Sequence, residues 1–184
     1  MKLILTEVDM RALKRFLLGV AVVFLYSPFA QAVSIQWQDN KLTAVIDGSI
    51  QLTKPNGSWD TQETKDPSAP VKWVLHRGGA NPVIWLRYDH SPAGKNIAQF
   101  ADSVRVELVN RGLRIEREQP RTINGRKAYL FYAVDSKLRG NASFLIGVYR
   151  NRTNGWILEC NSVPVDFNQF ESQFLSCIES VKVF

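Results

Sequence analysis

The stretch "LRIEREQPRTINGRKAYLFYAVD", Leu113 to Asp135, decides the fold. Asn124-Gly125 stands between two runs of strand-forming residues, and an Asn-Gly pair tolerates the positive φ angles that a two-residue hairpin turn requires. The segment is therefore predicted as a β-hairpin. Pairing across that turn sets Ile115 opposite Val134 and Gln119 opposite Leu130 on one face. On the other face Arg114 meets Asp135 as a cross-strand ion pair, and Glu118 lies beside Phe131. The strand at 128–134 and the next one, "SFLIGVY" at 143–149, are apolar on both faces. Such strands belong in a sheet that is covered on both sides.

Upstream of the hairpin the period changes. In "NIAQFADSVRVELVNRG" residues Ile97, Phe100, Ala101, Val104 and Leu108 recur at three and four, which is helical spacing. Asn96 is placed to cap this helix with Gln99 as its capping-box partner, and Gly112 follows as a stop signal. Earlier still, Ile35, Trp37, Leu42, Ala44 and Ile46 alternate. Ile50 and Leu52 resume the alternation after Asp47-Gly48, which predicts another hairpin. Residues 54–70, with three prolines and few apolar side chains, read as a surface loop. Strands at 71–76 and 83–88 form a further hairpin.

Downstream, "NRTNG" at 151–155 turns the chain into "WILECNS", where Trp156, Leu158 and Cys160 share a face. A second helix follows. Asp166 is its expected cap, Gln169 its capping-box partner, and Phe167, Phe170, Phe174, Cys177, Ile178 and Val181 its apolar stripe. Six or seven mostly antiparallel strands with two helices give an α+β sandwich.

The amino terminus speaks to compartment. Arg11, Lys14 and Arg15 precede the apolar run Phe16 to Phe29, and Ala30 and Ala32 flank Gln31. This is the pattern of a cleavable secretory signal over residues 1–32, leaving a single domain at 33–184. The run is too short for a membrane span, which needs about 20 apolar residues. Met10 is an alternative start, because Glu7 and Asp9 sit in a region that should be basic. The expected product is soluble, monomeric, and periplasmic or secreted.

Export bears on the two cysteines of the chain, Cys160 and Cys177, seventeen residues apart and both on core-directed faces. Redox and metal motifs use tighter spacings such as C-x-x-C, and cysteines in an oxidising compartment normally pair. A structural disulfide is expected, which in chain-entropy terms would stabilise the fold by roughly 3 kcal/mol.

Several quoted segments carry a family resemblance. "IDGSIQLTKPNGSWD" near the start, "FADSVRVELVNRG", the Asn-Gly hairpin at "INGRKAYLFY" and the ending "WILECNSVPVDFNQFESQFLSCIESVKVF" together resemble the PsbP/Mog-type superfamily. The resemblance implies a three-layer α/β/α sandwich, a mostly antiparallel sheet with helices packed on both faces. It also implies a non-catalytic binding or adaptor role. The short secretory signal departs from the photosynthetic members, and a role in oxygen evolution does not carry over.

No catalytic constellation emerges. G-x-S-x-G, H-E-x-x-H, a phosphate loop and G-x-G-x-x-G are absent. His76 and His90 are the histidines of the chain, and Glu116 and Glu118 are paired carboxylates of the kind glycoside chemistry uses. An envelope hydrolase or metal-dependent enzyme built on these residues is one alternative to a binding protein, and a carrier of a small hydrophobic ligand is another. No cofactor or metal is assigned. Removal of residues 1–32 takes four basic and two acidic residues from the net charge of +6 and leaves a mild +4, which permits an anionic partner, an unknown protein or envelope component. The candidate surface is Arg105, Arg111, Arg114, Arg126 and Lys127, in a basic run of one helix and the following hairpin that also holds Arg117 and Arg121. Trp59 in the polar loop is a further candidate contact, with a core or partly buried position as the safer reading of an aromatic side chain. Glu107, Glu116 and Glu118 interrupt the basic run, which argues against nucleic acid.

Overall fold

Among the described residues, eleven strands and two helices follow in the order β1 (Ile35–Gln38), β2 (Thr43–Ile46), β3 (Ile50–Thr53), β4 (Asp60–Gln62), β5 (Val71–Val74), β6 (Val83–Asp89), α1 (Ile97–Asn110), β7 (Leu113–Ile123), β8 (Arg126–Asp135), β9 (Ala142–Arg150), β10 (Gly155–Ser162), α2 (Pro164–Glu179) and β11 (Lys182–Val183). The structure is a computed structural model. It describes residues 34–184 apart from 40–42, 56, 57, 63, 67, 77–81, 90–93 and 136–141. The secretory signal expected over residues 1–32 and the second histidine, His90, lie outside the described residues.

The strands form two antiparallel sheets. One has four strands in the order β1-β2-β3-β11, and the other has seven in the order β4-β5-β6-β10-β9-β8-β7. The strand count exceeds the six or seven expected, and β4 and β11, three and two residues long, account for part of the excess. Segments that short show no period.

The central hairpin forms where expected. Asn124 and Gly125 take φ of 48° and 76°, and Gln119 faces Leu130 while Glu118 faces Phe131. Further from the turn a bulge between Ile115 and Arg117 shifts the register, so Ile115 meets Ala133 and Arg114 meets Val134. The Arg114–Asp135 ion pair is thereby lost. Arg114 bonds Glu116 on its own strand instead, at 2.8 Å.

Successive residues of the central strands are shared between two apolar clusters. Leu130, Leu145, Tyr149, Trp156, Leu158 and Cys160 join a cluster with Phe170, Phe174, Cys177 and Ile178 of α2, and with Ala44, Ile46, Ile50 and Leu52 of the smaller sheet. Phe131, Ala133, Phe144, Ile146, Val148 and Ile157 join the second cluster, with Phe100, Ala101, Val104 and Leu108 of α1. Alternate residues of a strand point to opposite faces, which accounts for strands without a polar face.

Helix α1 begins as expected, with both hydrogen bonds of the capping box present between Asn96 and Gln99. Helix α2 does not. Its N-cap is Val163, which makes no side-chain cap bond, and Pro164 opens the first turn. Proline suits this place because its missing N–H has no partner in the first turn anyway. Asp166 lies within that turn, where its charge complements the positive helix end.

Two further expectations are corrected. Residues 54–70 are more than a surface loop: they contain edge strand β4, and Trp59 is 1% exposed within the larger cluster. Its indole Nε1 donates to Gln173 Oε1 at 2.8 Å, and its ring meets Phe174 edge-on at 6.1 Å. Trp59 is a core residue with its polar edge satisfied, so it is removed from the docking surface. Cys160 and Cys177 are both buried, as their faces predicted, but they are free thiols rather than a disulfide. Burial raises both thiols above their ordinary range and keeps them protonated, so each serves as a small apolar side chain.

Candidate functional site

The arginines expected to form one surface are divided by the fold into two groups. The first group is neutralised. Glu159 projects from β10 and is 2% exposed. A carboxylate that deep requires cationic partners. Arg111, at the end of α1, grips it with two hydrogen bonds of 2.7 and 3.1 Å, and Arg87 of β6 reaches it at 2.5 Å. Glu107 of α1 completes the network at 2.9 Å from Arg87 and 3.6 Å from Arg111. The Glu159 hydrogen bonds raise the Arg111 guanidinium above its ordinary value. Two arginines and two glutamates thus tie the end of α1 to β6 and β10.

Arg105 likewise pairs with Asp102 and, at 3.3 Å, with Glu118. Together with the Arg114–Glu116 pair, these contacts occupy both carboxylates considered for glycoside chemistry. His76 is exposed, 3.8 Å from Asp60. Among the described residues no group of three or more His, Cys, Asp and Glu side chains comes together as metal ligands would.

The second group opens onto a cavity of about 630 Å³. Arg126, Lys127, Arg150 and Arg152 line it with Asn96, Ile97, Asn151, Thr153 and Phe184, and no acidic residue is among them. Arg126, Lys127 and Arg152 make no ion pair with any described residue. Three chain features converge here. The Asn124-Gly125 turn places Arg126 and Lys127 at the start of β8, and Asn124 Nδ2 anchors that turn by donating to the carbonyls of Glu179 and Val181 at 3.0 and 2.8 Å. The β8–β9 register, with Tyr129 opposite Val148, carried on toward the turn brings Lys127 level with Arg150.

The turn between β9 and β10 is stiffened by Asn151, whose Oδ1 accepts from the backbone N–H groups of Thr153 and Asn154 at 3.0 and 2.8 Å. Arg150 donates to the carbonyl of Arg152 at 3.1 Å, which holds both arginines at that turn. Next to it, Gly155 permits a close approach. A Cβ there would stand 2.4 Å from the Phe100 ring, so a bare backbone is what lets Phe100 seat α1 against β10. The N-terminus of α1, at Asn96 and Ile97, is thereby part of the cavity wall. No acidic residue lies in its first turn, so the positive end of the helix is capped by the neutral Asn96 side chain and meets no counter-charge there.

Arg126 and Lys127 therefore remain candidates, whereas Arg105, Arg111 and Arg114 are engaged within the protein. The sequence reading missed Arg150 and Arg152. Their signal was present in "YRNRTNG", two arginines flanking an asparagine turn, but nothing local shows that this turn meets the tip of another hairpin.

No protein-family model matches the chain, and no curated protein matches it in sequence. Solved structures do match in fold. CyanoP, the cyanobacterial PsbP of Synechocystis sp. PCC 6803, aligns with a TM-score of 0.57 at 14% identity, over 86% of this chain and 96% of that one. PA94, a protein of unknown function from Pseudomonas aeruginosa, aligns with a TM-score of 0.54 at 13% identity, over 80% of this chain and 94% of that one. LpqN, involved in cell envelope biogenesis of Mycobacterium tuberculosis, aligns with a TM-score of 0.53 at 14% identity, over 82% of this chain and 90% of that one. With its mostly antiparallel sheets and two helices, the chain has a PsbP-like fold.

Proposed function

We propose that this protein is a non-catalytic binding protein of the cell envelope, periplasmic or secreted, that docks an acidic partner in the basic cavity. The observation that carries the reading is the sorting of cations. Arg105, Arg111 and Arg114 are neutralised within the protein, while Arg126, Lys127 and Arg152 stand together at a cavity with no Asp or Glu side chain in its wall. Like charges gathered without counter-charge repel one another, and an anionic partner relieves that repulsion.

The envelope location is supported by the secretory pattern of residues 1–32 and by the envelope role stated for LpqN. A non-catalytic role is supported by the engagement of Glu116 and Glu118 with arginines. The architecture that accompanies this reading is a three-layer sandwich. It is supported by the alternation of β8, β9 and β10 side chains between the α1 and α2 clusters.

In-cell crosslinking of the tagged full chain, with mass spectrometry of the trapped species, tests the reading. One dominant partner, lost when Arg126→Ala and Lys127→Ala are combined, is the expected result. A partner trapped equally by that variant would remove the cavity from the docking site.

A further inference from the structure

We infer that the cavity is a phosphate-recognition site, taking a phosphate group that is either free or carried on a lipid headgroup. The inference rests on the docking reading above and names its chemistry. Four features support phosphate. Arg126, Lys127 and Arg152 supply three cationic side chains, more than one carboxylate needs and suited to an anion with several oxygens, and Arg150, which donates to the Arg152 carbonyl, lines the wall beside them. The guanidinium groups present paired N–H donors that match phosphate geometry, and the lysine adds a point charge. The α1 N-terminus faces the same space without a competing carboxylate, an arrangement that favours phosphate oxygens. The volume of about 630 Å³ accommodates a small molecule rather than a bare ion.

The wall is also partly apolar. Ile97 lines it, and Phe184, 57% exposed, is a large hydrophobic residue left in solvent at its edge. An apolar rim beside a cationic floor suits a phosphate attached to an organic group. The site is held ready rather than assembled on binding. Its turns are fixed by Asn124 and Asn151, and α1 is seated by Phe100 over Gly155.

The test uses the full chain with two kinds of probe, soluble phosphates and vesicles. Pyrophosphate and glycerol phosphate are titrated calorimetrically, and phosphatidylglycerol vesicles are compared with phosphatidylcholine vesicles by co-sedimentation. The combined Arg126→Ala and Lys127→Ala variant is expected to weaken binding at least about tenfold, and Arg152→Ala by a similar factor. Arg114→Ala, which removes an arginine already paired with Glu116, should leave it unchanged. Residues 16–29 are common to all variants, so the difference between variants isolates the cavity.

Binding to the soluble probes assigns a free phosphate ligand, whereas binding to phosphatidylglycerol alone assigns a headgroup. Either, if lost in the cavity variants, supports the inference. No binding to any probe, or binding indifferent to Arg126, Lys127 and Arg152, overturns it. If a crosslinked acidic protein still depends on Arg126 and Lys127, the phosphate chemistry falls and the docking reading stands. If neither is found, both fall.

Discussion

Arg111 and Arg126 are similar residues in neighbouring segments, and the fold gives them opposite work. Arg111 closes a four-membered network around buried Glu159 and ties α1 to the sheet. Arg126 stands at a hairpin tip beside three other cations with no acidic residue among the cavity walls. The difference teaches that a count of arginines does not define a surface. A cation whose carboxylate partner is supplied by a distant strand belongs to the structure, and one left without a partner is available to a ligand.

The comparison breaks most severely at Glu159. Replacing it by Gln leaves Arg87 and Arg111 facing a neutral group at a buried position, and removing one partner of a buried pair costs about 3–5 kcal/mol. Urea unfolding of Glu159→Gln should show that loss, and a change under 1 kcal/mol would mean that the network does not hold α1 to the sheet.

Gly155→Ala probes the junction between the two regions. Its Cβ would collide with the Phe100 ring, so a loss of about 1–3 kcal/mol is expected from overpacking. Displacement of α1 should also weaken any ligand in the cavity. Wild-type binding by this variant would show that the α1 N-terminus is not part of the site.

The free thiols are checked through pH. Both have folded pKa values raised by burial, so in alkali the unfolded chain releases protons that the native state retains. Stability should be unaffected below about pH 8 and fall above it by about 1.4 kcal/mol per thiol per pH unit. Thermal melts from pH 7 to 10 should show a smaller decline when Cys160→Ala and Cys177→Ala are combined. Reaction with a thiol reagent should be absent in the native state and complete in denaturant.

The smallest effect belongs to the cavity. Arg126→Ala, at an exposed position with no partner to lose, should lie within about 0.5 kcal/mol of wild type. A larger loss would make Arg126 structural, like Arg111, and erase the contrast.

Local patterns were legible wherever one segment carried its own signal. The α1 capping box, the Asn124-Gly125 turn and the near-turn register of the central hairpin are all interactions within a few residues of their cause. Strands without a polar face announced that both of their sides were covered. The bulge at Ile115/Arg117 was not legible, because a slip in register is chosen by packing across the sheet. Glu159 was passed over although a carboxylate inside "WILEC" is conspicuous: its partners come from β6 and α1, which are distant in sequence.

The sequence by itself determined the antiparallel α+β class, both helices, the main turns and the burial of both cysteines, since each follows from periodicity or from turn chemistry acting over a few residues. Tertiary structure alone decided that the Trp59 indole finds its partner in Gln173 of α2, that the cysteines remain thiols, and which arginines are neutralised. It also decided that the residues at 126–127 and 150–152 meet at the α1 N-terminus. Those outcomes depend on which side chains arrive from distant segments, and charge, unlike backbone preference, takes its meaning from whatever stands within a few ångströms.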